Sequence, residues 1–268
     1  LLNNVQPYQR MIDMPKTIKG LQVLKNAGTS ANPEIYIYDE IGPGYWGLID
    51  ALAIVDALKQ IGDAQEIDVR INSPGGDVFE ASAIFNHLRE HKAKINIKID
   101  GLAASAASVI AMVGDKIEIA SNAMIMIHEA WTIVWGNKNE LMKTVELLGK
   151  IDGNLINTYV ERTGQSEADV KAWVEAETWF TAKEAVEKGF ADSITGTTVE
   201  DSAIVVPKGR YRNCPAGVSQ VESHAKIVTL ARPPQRPDRQ PDNTATLAAM
   251  YSPSVVAARV RAVKSSLS

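Results

Sequence analysis

One cysteine in 268 residues, Cys214, excludes an internal disulfide and any zinc site built from several thiolates. Histidine is also scarce: His87, His91, His128 and His224 are scattered without metal-ligand spacing. No apolar run nears the roughly 18 residues needed to cross a bilayer, and no basic stretch leads into an apolar segment at the start. A protein of the cytoplasm is therefore expected, without membrane, metal, cofactor or nucleic acid as partner. The chain opens on Leu1 rather than methionine, as a fragment or processed product does. With 45% hydrophobic and 22% charged residues, it can build one substantial globular domain plus extensions.

The formal charge of −4 hides a division. Residues 1–200 carry 18 Lys+Arg against 28 Asp+Glu, and residues 201–268 carry 10 against 4. An acidic body thus bears a basic tail. After about Ile194 the periodic pattern fades, and A-R-P-P-Q-R-P-D-R-Q-P-D at 231–242 reads as a proline-rich linker. The division expected is an N-terminal extension (1–33), a catalytic domain (34–199) and a flexible basic tail (200–268), either solvated or a tether for an acidic partner.

Within the body, β-branched runs at 35–38, 67–71 and 95–99 alternate with helical patterns near 46–61, 77–92 and 103–113. This is a series of βαβ units. Strands at 116–120 and 123–128 follow, then a long helical pattern over about 137–163, ended by Thr163-Gly164-Gln165. Ser166 with Asp169 and Thr181 with Glu184 have N-cap spacing, and Gly189 closes the last helix. The expected fold class is a layered α/β domain, with functional residues at the carboxyl ends of its strands.

Three segments place chemistry there. In D-G-L-A-A-S-A-A-S, with Gly101 taken to follow the third strand, Ser105 falls in or beside the first turn of a helix, where free N–H groups favour negative charge. Its small neighbours let a substrate approach; Ser108, one turn on, suits packing or back-bonding to the helix. I-N-S-P-G-G-D at 71–77 offers glycine N–H groups as a second wall of an oxyanion hole. In A-M-I-M-I-H, alternation sets Ile125 and Ile127 on one face and Met124, Met126 and His128 on the other, so His128 can face a cleft. His87 and His91 read as a solvated helix face.

The blocks I-N-S-P-G-G, G-L-A-A-S-A, M-I-H, T-G-Q-S and F-T-A-K-E-A-V-E-K-G-F-A-D-S-I together resemble, in order and spacing, ClpP, the proteolytic subunit of the Clp protease, over roughly residues 34–194. W-F-T-A-K-E-A and the W-G-N-K region look closest to the ClpP-related head-maturation proteases of tailed phages. The resemblance implies a crotonase-like spiral of βαβ units with a long protruding helix, self-assembly into rings, and ATP-independent cleavage of capsid and scaffold proteins. By position, Ser105 matches the nucleophile and His128 the general base, while Gly76 and Ala106 match the oxyanion-hole N–H donors. Where ClpP has aspartate this chain has Glu177, one methylene longer; Glu175 and Asp192 stay open as alternative acids. Such a base titrates near about pH 6 to 7, and a carboxylate partner pushes that value upward.

The first sixteen residues do not resemble the ClpP axial loops, and the tail has no counterpart there, so an unfoldase partner is not implied. A Clp-type housekeeping subunit is the nearest alternative. G-P-G-Y-W-G at 42–47 fits a dinucleotide-binding fingerprint, but Pro43, Tyr45 and Trp46 crowd a turn that should admit a pyrophosphate. A crotonase-like acyl-CoA enzyme would share the fold while relying on carboxylates, and an inactive scaffold-binding shell would need no nucleophile.

Overall fold

In this computed structural model the described residues are 21–24, 31–42, 49–196, 205–207, 209–215 and 218–221. Strands β1 (Leu21–Leu24) and β2 (Glu34–Ile37) precede α1 (Ala51–Ile61), β3 (Glu66–Ser73), α2 (Val78–Arg89), β4 (Lys94–Ala104) and α3 (Ala106–Ala111). Then come β5 (Lys116–Ala120), β6 (Met124–Ile127), the long α4 (Lys138–Thr163), α5 (Glu167–Glu175), β7 (Thr178–Thr181), α6 (Ala182–Glu187) and β8 (Ser193–Thr195). Beyond them β9 (Val205–Pro207) and β10 (Ser219–Val221) pair in parallel.

The eight-stranded sheet has a main path β1-β2-β3-β4-β5-β8, parallel from β2 onward with β1 antiparallel at its edge, and β6 and β7 branch from β4. Ile35, Ile37, Ile67, Val69, Ile71, Ile97, Ile117 and Ile119 are fully buried and meet Ile54, Ile84, Leu88 and Ile110 of the helices. β-branched side chains suit this pleated, covered face. The alternating positions on β2–β4 carry charge instead: Arg70 reaches Asp100 at 2.6 Å, and Lys98 reaches Asp68 at 2.5 Å. Each buried carboxylate is thus matched by a cation, as burial demands.

The helix ends follow their side chains. Asp50 caps α1, Asp77 caps α2, and Asn137 with Glu140 and Thr181 with Glu184 form capping boxes on α4 and α6. Gly164 in the left-handed conformation ends α4, as Thr163-Gly164-Gln165 indicates. No helix among the described residues is long and apolar enough to cross a membrane.

Four features differ from the sequence reading. The third strand does not stop at Ile99: it continues to Ala104 through a register shift, since Ile71 pairs with Ile99 but Ser73 with Ala103. Gly101 is therefore inside β4, and α3 is correspondingly shorter than 103–113. The first half of β4 pairs with β5 and its last three residues with β6. Second, α1 is described only from Ala51, and apart from Gly42 the G-P-G-Y-W-G run lies outside the described residues. Third, β7 and β8 were not foreseen; β7 pairs antiparallel with β6.

The fourth concerns the region read as a flexible tail from residue 200. Its described part packs on the body: Val206, Tyr211 and Val218 are buried with Leu102, Ala104 and Met126 in a second apolar cluster. This cluster sits on the Met126 side of β6, while Ile125 and Ile127 belong to the main core, as alternation requires. The linker at 231–242, His224 and the proposed tether lie outside the described residues.

Candidate active site

β4 delivers Ser105 as the N-cap of α3, with φ 52 and ψ −126. A non-glycine residue rarely holds this conformation, and it is held here because the Ser105 N–H donates to the Met126 carbonyl at 2.9 Å. In this conformation the Ser105 hydroxyl makes no cap bond to the helix and meets His128, which directly follows β6. His128 Nε2 lies 2.8 Å from Ser105 Oγ. The imidazole is only 9% exposed. Parallel pairing of β4 with β6 sets these two strand ends side by side.

Ser108 sits one turn inside α3 and donates to the Ser105 carbonyl at 2.6 Å, the back-bond anticipated for it. Its oxygen is 2.8 Å from the buried Tyr159 hydroxyl of α4.

The loop after β3 supplies the opposite wall. Ile41 donates to the Gly75 carbonyl and accepts from Asp77 N–H, a bridge that leaves the Gly76 N–H out of the pairing. Gly76 has φ 150, and a Cβ there would stand 1.9 Å from the Ile41 oxygen. At Gly75, φ 85, a Cβ would reach Ser105 Cβ at 2.8 Å and Ala106 N at 2.9 Å. Only glycine lets this loop press against the start of α3. Ala106, at the first helical position, has an N–H with no intrahelical acceptor. Gly76, Ser105, Ala106 and His128 line one cavity of about 390 Å³, whose apolar lining includes Val109, Leu148, Ile151 and Leu155.

Glu177 closes α5 in the left-handed region, φ 51, and is 4% exposed. Its charge acts on His128, yet among the described residues no hydrogen bond joins the two. The carboxylate accepts instead from the backbone N–H groups of Arg212 at 3.0 Å and Asn213 at 2.6 Å. The two alternative acids are engaged elsewhere. Glu175 pairs with Lys171 at the surface, and Asp192 takes Arg162 and the Ile117 N–H.

Burial holds the His128 pKa below the ordinary histidine value; Glu177 pulls it up, and Arg210 and Arg212 push it further down. The upward shift expected from a carboxylate partner is therefore outweighed by desolvation. A residue missed in the sequence is Tyr211, whose ring stands edge-on to the imidazole at 5.5 Å. An aromatic between two arginines in a polar stretch was the available signal. No group of His, Cys, Asp and Glu among the described residues could hold a metal ion.

A strained serine hydrogen-bonded to a buried histidine, with a carboxylate charge nearby, at the strand ends of an α/β sheet, is the arrangement of a serine hydrolase. Residues 34–198 match the Clp protease family, and the chain belongs to that family of serine-type peptidases. It is similar to the ATP-dependent Clp protease proteolytic subunit of Deinococcus radiodurans, 30% identical over 139 residues that cover 51% of this chain and 68% of that subunit. Proteolytic subunit 1 of Chlamydia trachomatis is 30% identical over 141 residues, 51% of this chain and 73% of its own. Proteolytic subunit 2 of Rhodococcus jostii is 27% identical over 139 residues, covering 51% and 71%.

Proposed function

We propose that the protein is a serine endopeptidase acting through an acyl-enzyme at Ser105. The observation that carries this is the 2.8 Å contact between Ser105 Oγ and His128 Nε2 at a strained N-cap. Ser105 Oγ attacks the scissile carbonyl as its proton passes to His128 Nε2, and the oxyanion meets the N–H groups of Gly76 and Ala106. The C–N bond then breaks, the amine leaves with the proton from His128, and water, deprotonated by the same ring, releases the acid. Glu177 stabilises the imidazolium through its charge. Fluorophosphonate labelling followed by peptide mapping tests the reading: modification at Ser105 supports it, and a wild-type protein that neither labels nor hydrolyses peptides sinks it.

Capsid and scaffold proteins are the substrates we propose, in the host cytoplasm or the assembling phage head, on the resemblance of W-F-T-A-K-E-A and W-G-N-K to head-maturation proteases. The names of the relatives favour a second reading, a Clp-type subunit fed by an ATP-driven unfoldase. Co-expression with capsid protein alone separates them: products without any ATPase support head maturation. A homo-oligomeric ring fits both. Trp131, Ile133, Trp135, Met142 and Val145 are more than half exposed on the loop before α4 and on its first turns, an apolar surface of the kind a second copy covers.

A further inference from the structure

We propose that Arg210–Asn213 is a strap that positions the acid and the base of this site, its backbone holding the Glu177 carboxylate and its Tyr211 ring seating the His128 imidazole. The inference rests on the peptidase reading above. It concerns a segment beyond residues 34–198, the span shared with the Clp protease family.

Glutamate has one more torsion than aspartate, so its carboxylate needs fixing from outside. Arg212 N–H takes Oε2 and Asn213 N–H takes Oε1, which fixes both oxygens. Asn213 Nδ2 also donates to the Ala176 carbonyl at 2.8 Å, fastening the strap to the residue before Glu177. Each carboxylate oxygen retains a second lone pair, so the clasp does not exhaust its capacity to accept.

Tyr211 spans the other two parts of the site. It is 7% exposed, lies edge-on to Trp179 as well as to His128, and its hydroxyl donates to the Pro74 carbonyl in the loop that carries Gly76. Arg210 pairs with Glu40, next to the Ile41 carbonyl that faces Gly76. Four consecutive residues therefore touch the acid, the base and the oxyanion loop. The Ser105 hydroxyl meets His128 from the N-cap of α3, and the charged and titratable groups that act on the ring are Glu177 from the α5–β7 junction and Arg210, Tyr211 and Arg212 from the strap. Removing the Tyr211 ring opens the imidazole to water, which favours its charged form.

The test uses full-length protein carrying Tyr211→Ala, Tyr211→Phe, Asn213→Pro or Asn213→Ala, with peptide hydrolysis and fluorophosphonate labelling followed from about pH 5 to 9. Tyr211→Ala should lower kcat about 10- to 100-fold with KM little changed, since the defect is geometric. Its acid limb should move to higher pH by about half a unit or more, whereas Tyr211→Phe should hold the limb in place. Asn213→Pro, which deletes one N–H donor, should lower kcat similarly, and Asn213→Ala, which keeps that N–H but loses the bond to the Ala176 carbonyl, should lower it less. Wild-type rates and an unmoved limb in folded Tyr211→Ala would overturn the proposal, as would faster hydrolysis in either variant, the mark of a strap that obstructs. Should Asn213→Pro fail to fold, the limb of Tyr211→Ala decides alone. Failure of wild type to label removes the peptidase reading itself; normal wild-type labelling with indifferent variants removes only the strap.

Discussion

Tyr159 and Ser108 share a 2.8 Å hydrogen bond that ties the middle of α4 to the helix begun by Ser105. Because Ser108 already donates to the Ser105 carbonyl, Tyr159 is the donor, and burial pushes its phenol pKa well above the ordinary range. Tyr159→Phe should cost about 1–2 kcal/mol by leaving the hydroxyl of Ser108 one partner short. Urea unfolding measures it; an unchanged midpoint would mean the bond contributes nothing net.

Ser105→Ala should abolish labelling and reduce hydrolysis by several orders of magnitude while the fold persists. Ser105→Gly should be equally inactive but more stable than Ser105→Ala by about 1 kcal/mol, since glycine holds φ 52 without strain. Thermal melts of the two variants check the difference.

Glu177→Gln should weaken catalysis less than His128→Ala does, because the carboxylate stabilises the imidazolium without transferring the proton. The comparison is of kcat/KM on one fluorogenic peptide. Equal losses in the two variants would assign Glu177 a larger part than charge alone.

Gly76→Ala should lower activity about 100-fold or more, because its Cβ would strike the Ile41 carbonyl and displace the Gly76 N–H. Single-turnover acylation rates would locate the loss before deacylation.

The acid limb of kcat/KM should fall below about 6.5, the ordinary histidine value, because burial lowers the pKa of His128 in the folded protein. The same shift links to stability: between the lowered folded value and the ordinary one, the unfolded chain binds the extra proton, so this contribution is complete above about 6.5 and lost as pH falls toward the folded value. Chemical denaturation across that interval reads the slope. A limb above the ordinary value would show that Glu177 outweighs desolvation.

What could be read beforehand was local. Ile67, Val69 and Ile71 announce β3 by alternation, and Thr181 with Glu184 announces α6 by its cap, because both patterns are written in neighbouring residues. The grouping of Ser105, His128 and Glu177 came from resemblance across five blocks. Glycine usually interrupts strands, which hid Gly101 inside β4. The strap was hidden for another reason: its bonds to Glu177 join residues 35 and 36 apart and leave no periodic trace.

The two-sided use of β4 makes the stretch between Ile99 and Ser105 a gauge of fixed length. Asn96–Ile99 is held in register by β5, and Leu102–Ala104 by β6. One residue inserted at Asp100–Gly101 would advance the second half by about 3.3 Å and turn Leu102 and Ala104 to the opposite face. Ser105 would then leave His128 with every side chain of the site intact. At the exposed Ser121–Asn122 turn the same insertion adds only loop. Engineering that lengthens this protein should therefore spare the five residues 100–104, which include neither the base nor the acid.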